Sequence, residues 1–208
     1  MARSSRFASL ALVLLAACAS APAPRESESL SLNRQGGEAY ARGDFKAARI
    51  AFSRAAQIHA DRKNAEGLAF NALSLARVEQ AAGNSEAAQQ ALDLVLASEA
   101  APGLRAEAAG RKALLHLSAG ELKDAGDWQA RAQALCGGCS AQAAILNIGA
   151  RIELAAGNGA AARQLAERVL KLPPSDDTRA EQANARRILA EATAPPQLAQ
   201  PAIVPKVQ

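Results

Sequence analysis

Four glycines, each followed by an acidic or amide residue, recur along this 208-residue chain at a near-constant interval. Gly43-Asp44, Gly83-Asn84, Gly120-Glu121 and Gly157-Asn158 are spaced by 40, 37 and 37 residues. Other columns keep the same register. Five residues after each glycine stand Ala48, Ala88, Ala125 and Ala162, and twelve after it Ala55, Val95, Ala132 and Val169. Seven before it stand Gly36, Ala76, Ala113 and Ala150. A period of this length marks a supersecondary unit that cannot bury its apolar face by itself and must stack on its neighbours. Each glycine suits the left-handed residue that closes a helix, and the Asp or Asn after it suits the cap of the next helix. The small columns let the two helices of a hairpin cross at short distance.

Composition agrees with helix throughout. Alanine dominates, aromatic residues make up only 3% of the chain, and the β-branched residues that strands prefer are sparse. Nothing beyond the N-terminal segment alternates with period two over a useful length. The expected fold class is all-α.

The pattern resembles the tetratricopeptide repeat (TPR), a helix–turn–helix unit that stacks into a superhelix. Residues 38–55 carry the clearest copy, with Tyr40, Gly43-Asp44, Phe45, Ala48, Phe52 and Ala55 in order. The second copy, around residues 67–76, resembles a longer-helix variant. The third departs most: Gln129 stands where a large apolar residue belongs and Trp128 one place earlier, which suggests a rotated helix. The fourth has Ala166 there, beside Leu165. The resemblance covers residues 29–176 and implies about four repeats. A fifth helix at 176–192, set off by Pro173-Pro174, would act as a solvating C-terminal cap, with Arg179, Glu181, Arg186 and Arg187 making a polar outer face.

In such folds the first helix of each repeat lines a concave groove. Counting back from each glycine, the groove columns hold Asn33, Gly37 and Tyr40, then Phe70, Leu73, Arg77 and Gln80. They continue with Gly110, Leu114 and Leu117, then Asn147, Arg151 and Leu154. The Asn and Arg residues suit a peptide backbone or an acidic side chain, and Phe70, Leu73 and Leu114 supply apolar contact. Against this, Tyr40, Phe45, Phe52 and Phe70 also fit a core cluster within the first repeats. The carboxylate clamp of chaperone-binding TPR proteins is not reproduced, because Gly37 takes a place where it needs Asn.

The N-terminus has a different character. Arg3 and Arg6 precede the nine-residue apolar run at 7–15, too short for the roughly 20 residues that span a bilayer. The run closes on Leu15-Ala16-Ala17-Cys18, which resembles the lipobox of a bacterial lipoprotein. The resemblance implies a signal peptide at 1–17, acylation of Cys18 and a flexible tether at 18–28. The solenoid then occupies 29–193, and a disordered Pro-rich tail 194–208. Ala19, where inner-membrane retention favours Asp, implies the periplasmic face of the outer membrane. A multiply acylated cysteine anchors stably where a single chain does not. Loss of Arg3 and Arg6 takes the 24 basic residues to 22 against 20 acidic ones. Without a basic run or base-stacking aromatics, no nucleic-acid partner is expected.

Cys136-Gly137-Gly138-Cys139 is the remaining candidate for chemistry. Two thiols fall short of a zinc site, and neither His59 nor His116 has ligand spacing to them. A thioredoxin-type pair expects a βαβ context. A disulfide across the turn between the third and fourth repeats is the favoured reading, contributing less than about 3 kcal/mol by loop closure. No catalytic motif is present, neither histidine has an obvious carboxylate partner, and no cofactor or metal is expected. His59 is expected to favour its own helix C-terminus. The functional expectation is a non-enzymatic, lipid-anchored periplasmic scaffold serving another envelope protein: pilotin-like, barrel-assembly-like or a peptidoglycan-enzyme adaptor. The alternative is a thiol–disulfide redox protein using Cys136 and Cys139.

Overall fold

The computed structural model describes residues 24–193, which form nine α-helices and no strand. In chain order they are α1 (Pro24–Ala41), α2 (Phe45–Asp61), α3 (Ala65–Ala81), α4 (Ser85–Ala97) and α5 (Pro102–Ser118). Then follow α6 (Leu122–Cys136), α7 (Gln142–Ala155), α8 (Gly159–Leu170) and α9 (Asp176–Thr193). Cys18 and the tail at 194–208 lie outside the described residues. None of the described helices is long and apolar enough to cross a membrane.

Each helix packs on the next, and the odd-numbered helices α3, α5, α7 and α9 also touch one another in succession. The even-numbered helices make no comparable contact. The odd helices therefore form an inner row and the even ones an outer row, so the array curves around the odd side. Burial is divided to match. One apolar cluster joins α3, α4 and α5, another joins α7, α8 and α9, and smaller ones bridge α1–α3 and α5–α7. The alanine columns seen in the sequence are the hairpin seams: Ala48, Ala88, Ala125 and Ala162 have no exposed surface, nor do Ala55, Val95, Ala132 and Val169. A methyl on Gly36 would come within 2.8 Å of Phe52 Cζ, which shows how close α1 and α2 lie.

One turn geometry closes five of the helices. At Gly43, Gly83, Gly120 and Gly157, φ lies between 76° and 80°, the left-handed region open to glycine. The next residue's N–H reaches back to a carbonyl five positions earlier: Asp44 to Ala39 (2.9 Å), Asn84 to Glu79 (2.8 Å), Glu121 to His116 (2.9 Å) and Asn158 to Glu153 (2.8 Å). This is the Schellman closure. The fifth copy, between α2 and α3, puts Lys63 at φ 54° and bonds Asn64 N–H to His59 O at 2.9 Å.

Several expectations need correction. The flexible tether expected over 18–28 overlaps α1, which begins at Pro24, and Glu28 pairs with Arg54 of α2 at 2.6 Å. Asp44 does cap α2, through its Oδ1 to Ala47 N–H, and Asn64 caps α3 likewise. Asn84 and Asn158 stand at the N-cap positions of α4 and α8 without a side-chain cap bond; each donates its amide back to a glutamate, Glu79 and Glu153, at 2.8 Å. Nor is α6 rotated. Ala125 and Ala132 keep the shared seam, Trp128 packs beside it under Lys112 Nζ (4.3 Å from the ring centre), and the Gln129 amide lies over Gly149. His59 stands in the last turn of α2, as expected of it, with its ring against Gly67 of α3.

Candidate functional site

The inner row sets the site. Measured from the glycine that ends each helix, the column ten residues back holds Asn33, Leu73, Gly110 and Asn147. All but Asn33 are buried, because this column points between neighbouring helices. The columns six and thirteen residues back face outward into the curve. They hold Gly37, Arg77, Leu114 and Arg151, and Leu30, Phe70, Glu107 and Ala144. Leu30 and Phe70 are 59% and 54% exposed, unusual for large apolar side chains.

Over α5, α7 and α9 these columns enclose an open cavity of about 900 Å³, within the range of ligand-sized sites. Its walls come from three helices, with Glu107, Ala144 and Glu181, and Leu114, Arg151 and Ile188, each 37 residues apart. Glu107, Gly110, Arg111 and Leu114 come from α5, and Ala144, Asn147, Ile148 and Arg151 from α7. The row on α9 is Glu181, Asn184, Ile188 and Glu191, with Arg187 beside it. Leu114, Ile148 and Ile188 make the apolar part. Arg111 is held by Glu107 Oε1 (3.0 Å to Nε, 2.8 Å to Nη2), and Arg187 donates to Asn184 Oδ1. Arg151 is exposed at the rim. The cavity carries both signs of charge.

Of the residues chosen from the sequence, Leu114, Asn147 and Arg151 line this cavity. Phe70 and Arg77 are exposed on α3, outside it, and Gln80 is half-buried. Three assignments change. Leu73 is only 4% exposed and belongs to the α3–α5 core. Tyr40 packs on Phe45 with ring centroids 5.9 Å apart, in the cluster with Phe52 and Val78, so it serves the core of the first hairpin. Asn147 is buried, and its amide is already used: Nδ2 donates to the Glu181 carbonyl (2.8 Å) and carboxylate (2.7 Å), tying α7 to α9. Asn33 is half-buried, with its Oδ1 shut off from solvent and unpartnered.

Sequence reasoning missed the α9 wall. Glu181 and Arg187 were placed on a solvated outer face, yet both line the cavity. The signal was available: Asn184 and Ile188 lie 37 residues after Asn147 and Arg151, continuing the period past Pro173-Pro174.

Cys136 ends α6 and is joined to Cys139 by a disulfide, with Cα atoms 4.9 Å apart. Gly137 and Gly138 take left-handed angles (φ 47° and 93°) that let the chain reverse inside so small a ring. The bridge packs toward the first turn of α5, where Cys139 Cβ would meet a methyl on Gly103 at 3.4 Å. Cys136 thus lies at a helix C-terminus, the end whose dipole disfavours a thiolate.

The helices and their order match solved structures. The repeats of a Podosopora anserina chain described as a kinesin light chain with nearly identical TPR-like repeats superpose with a TM-score of 0.58. Sequence identity is 18%, over 82% of this chain and 89% of that one. A variant of those repeats gives 0.60 at 18% identity, over 81% and 88%. The chain is a TPR-like solenoid. No protein-family model matches it, and no curated protein does at the same level of significance. At 18% identity the likeness is one of fold.

Proposed function

We propose that the solenoid is a non-enzymatic adaptor, anchored through acylated Cys18 at the periplasmic face of the outer membrane, that presents its inner row to another envelope protein. The observation that carries this reading is the cavity over α5, α7 and α9. Its apolar residues Leu114, Ile148 and Ile188 are interspersed with charges of both signs, Arg111, Arg151 and Arg187 with Glu107, Glu181 and Glu191, of which Arg111 and Glu107 pair with each other. Such a lining suits an extended segment with apolar side chains, whose polar groups meet the interspersed charges. Leu30 and Phe70 would continue the apolar contact toward the N-terminal end. The lipobox resemblance supports the anchor, and a short helical array held near a membrane suits an adaptor in assembly of a pilus secretin, an outer-membrane barrel or a peptidoglycan enzyme complex.

The disulfide is read as a constraint on the α6–α7 turn. Its placement at the end of one helix, rather than the start of the next, favours that role over redox cycling.

A photo-crosslinking residue at Arg151, on the inner row, and another at Leu94, exposed on outer helix α4, test the surface in intact envelopes. Adducts are expected from Arg151 and absent from Leu94. Equal adducts, or none at Arg151, would remove the groove assignment. Labelled palmitate in the wild-type chain but not in Cys18→Ser tests the anchor separately.

A further inference from the structure

Because five turns share one backbone geometry, the same three side-chain positions are brought together at each of them. They are the residue whose carbonyl closes the turn, the residue after the left-handed position, and the third residue of the next helix. Four of the turns hold Ala39, Asp44 and Ala47; His59, Asn64 and Gly67; Glu79, Asn84 and Ala87; and Glu153, Asn158 and Ala161. Each of those offers a single imidazole or carboxylate. The turn between α5 and α6 offers three: His116, Glu121 and Asp124.

We propose that this turn binds one divalent transition-metal ion of the zinc class through His116, Glu121 and Asp124, with water completing the shell. The three donor atoms lie within 4.8 Å of one another, and His116 Nδ1 stands 2.6 Å from Glu121 Oε2. Imidazole and carboxylate ligands bond zinc at about 2.0–2.2 Å, so a tetrahedral shell spaces them by roughly 3.3 Å. Both carboxylates are exposed and reach that spacing by side-chain rotation, while the His116 side chain, 16% exposed, stays packed. The backbone beneath is already fixed by Gly120 N–H to Leu117 O (3.1 Å) and Glu121 N–H to His116 O (2.9 Å). Lys123 donates to Asp127 at 2.8 Å rather than to Asp124. An imidazole nitrogen in the set selects zinc, copper or nickel over magnesium and calcium, which want oxygen alone. A bound ion would join α5 to α6 across the third hairpin. This departs from the sequence-based expectation of no metal, which considers the histidines as ligands only with the cysteine pair; the carboxylates of Glu121 and Asp124 stand near His116 instead.

The test uses the full chain with its disulfide intact and the Cys18 thiol alkylated. Zinc is titrated calorimetrically. Cobalt is titrated by quenching of Trp128, the chain's one tryptophan, which lies one helical turn beyond Asp124. One ion per chain is expected, with affinity at least tenfold weaker in His116→Ala and in Asp124→Asn. Asp124 is exposed in the first turn of α6, so Asp124→Asn retains the fold and decides the matter should His116→Ala unfold. Three results would overturn the proposal: no saturable zinc binding up to millimolar concentration, unchanged binding in Asp124→Asn, or equal binding of magnesium.

Discussion

Arg49 of α2 reaches across to Glu79 of α3 and holds its carboxylate with two hydrogen bonds, Nη2 to Oε2 at 2.7 Å and Nε to Oε1. Asn84 donates a third at 2.8 Å. Glu79 is 4% exposed, so this is a charge buried at the junction between the first two repeats. Three donors satisfy it. Replacing Glu79 by Gln turns charge-assisted bonds into neutral ones and sets an amide N–H₂ against the guanidinium. The expected loss is about 1–2 kcal/mol in urea unfolding. An unchanged midpoint would show that the pair is energetically silent.

The same pair gives an acid dependence. Hydrogen bonding from Arg49 is the main cause holding the Glu79 carboxyl below its ordinary value of 4.5. A carboxyl lowered on folding contributes stability that is complete above 4.5 and lost as pH falls through the lower, folded value. The gap between the wild-type chain and Glu79→Gln is therefore expected to be constant at neutral pH and to narrow only below about pH 4.5. A gap that widens on acidification would reverse the sign assigned here.

Lys63 occupies the left-handed position that glycine fills at the other four closures. An L-residue there costs roughly 1–2 kcal/mol, partly offset by the extra freedom glycine has when unfolded. Lys63→Gly is expected to stabilise the chain by about 0.5–1 kcal/mol, read as a raised denaturation midpoint. A lowered midpoint would mean that the lysine side chain makes contacts outweighing its backbone cost.

Gly36 and Gly37 are adjacent in α1 and should respond oppositely to alanine. At Gly36 a methyl meets the buried Phe52 ring at 2.8 Å, and overpacking of this kind costs about 1–3 kcal/mol. At Gly37 nothing lies within 4 Å, so the better helix former gains about 0.5–1 kcal/mol. Thermal melts of the two single variants check the contrast.

The Cys136–Cys139 ring spans four residues, and closing so short a loop is worth about 2 kcal/mol by chain entropy. A Cys136→Ser/Cys139→Ser chain is expected to lose about that much while keeping its helical circular dichroism. Loss of helix content would show that the bridge is needed to dock α7.

The repeat was legible because a left-handed closure selects glycine, which prints the turn into the sequence at Gly43, Gly83, Gly120 and Gly157. Where the same closure falls on Lys63 the glycine mark is absent, and only the helix end expected at His59 points to that turn. Asn84 has the residue type of a helix cap, but its Nδ2 donates to Glu79, and its Oδ1 accepts from no backbone N–H of α4. Groove columns were harder. Positions four residues apart share a helix face, yet on a curved inner row one of them turns into the seam with the next helix. Leu73 and Asn147 fell on the seam side, while Arg77 and Arg151, four residues on, fell on the open side. The α9 wall is hidden in the sequence because Pro173-Pro174 sets the helix at 176–192 apart as a solvated cap rather than as the next member of the inner row.

Only the inner row of helices is continuous from α3 to α9; the outer row touches its neighbours in sequence but not its own kind. The array is therefore built as a spine along a single line of helix-to-helix contacts. Each outer helix is held by the two inner helices beside it and not by another outer helix. A small change of angle between successive hairpins would therefore alter the radius of the curve while the residues along the inner row keep their spacing.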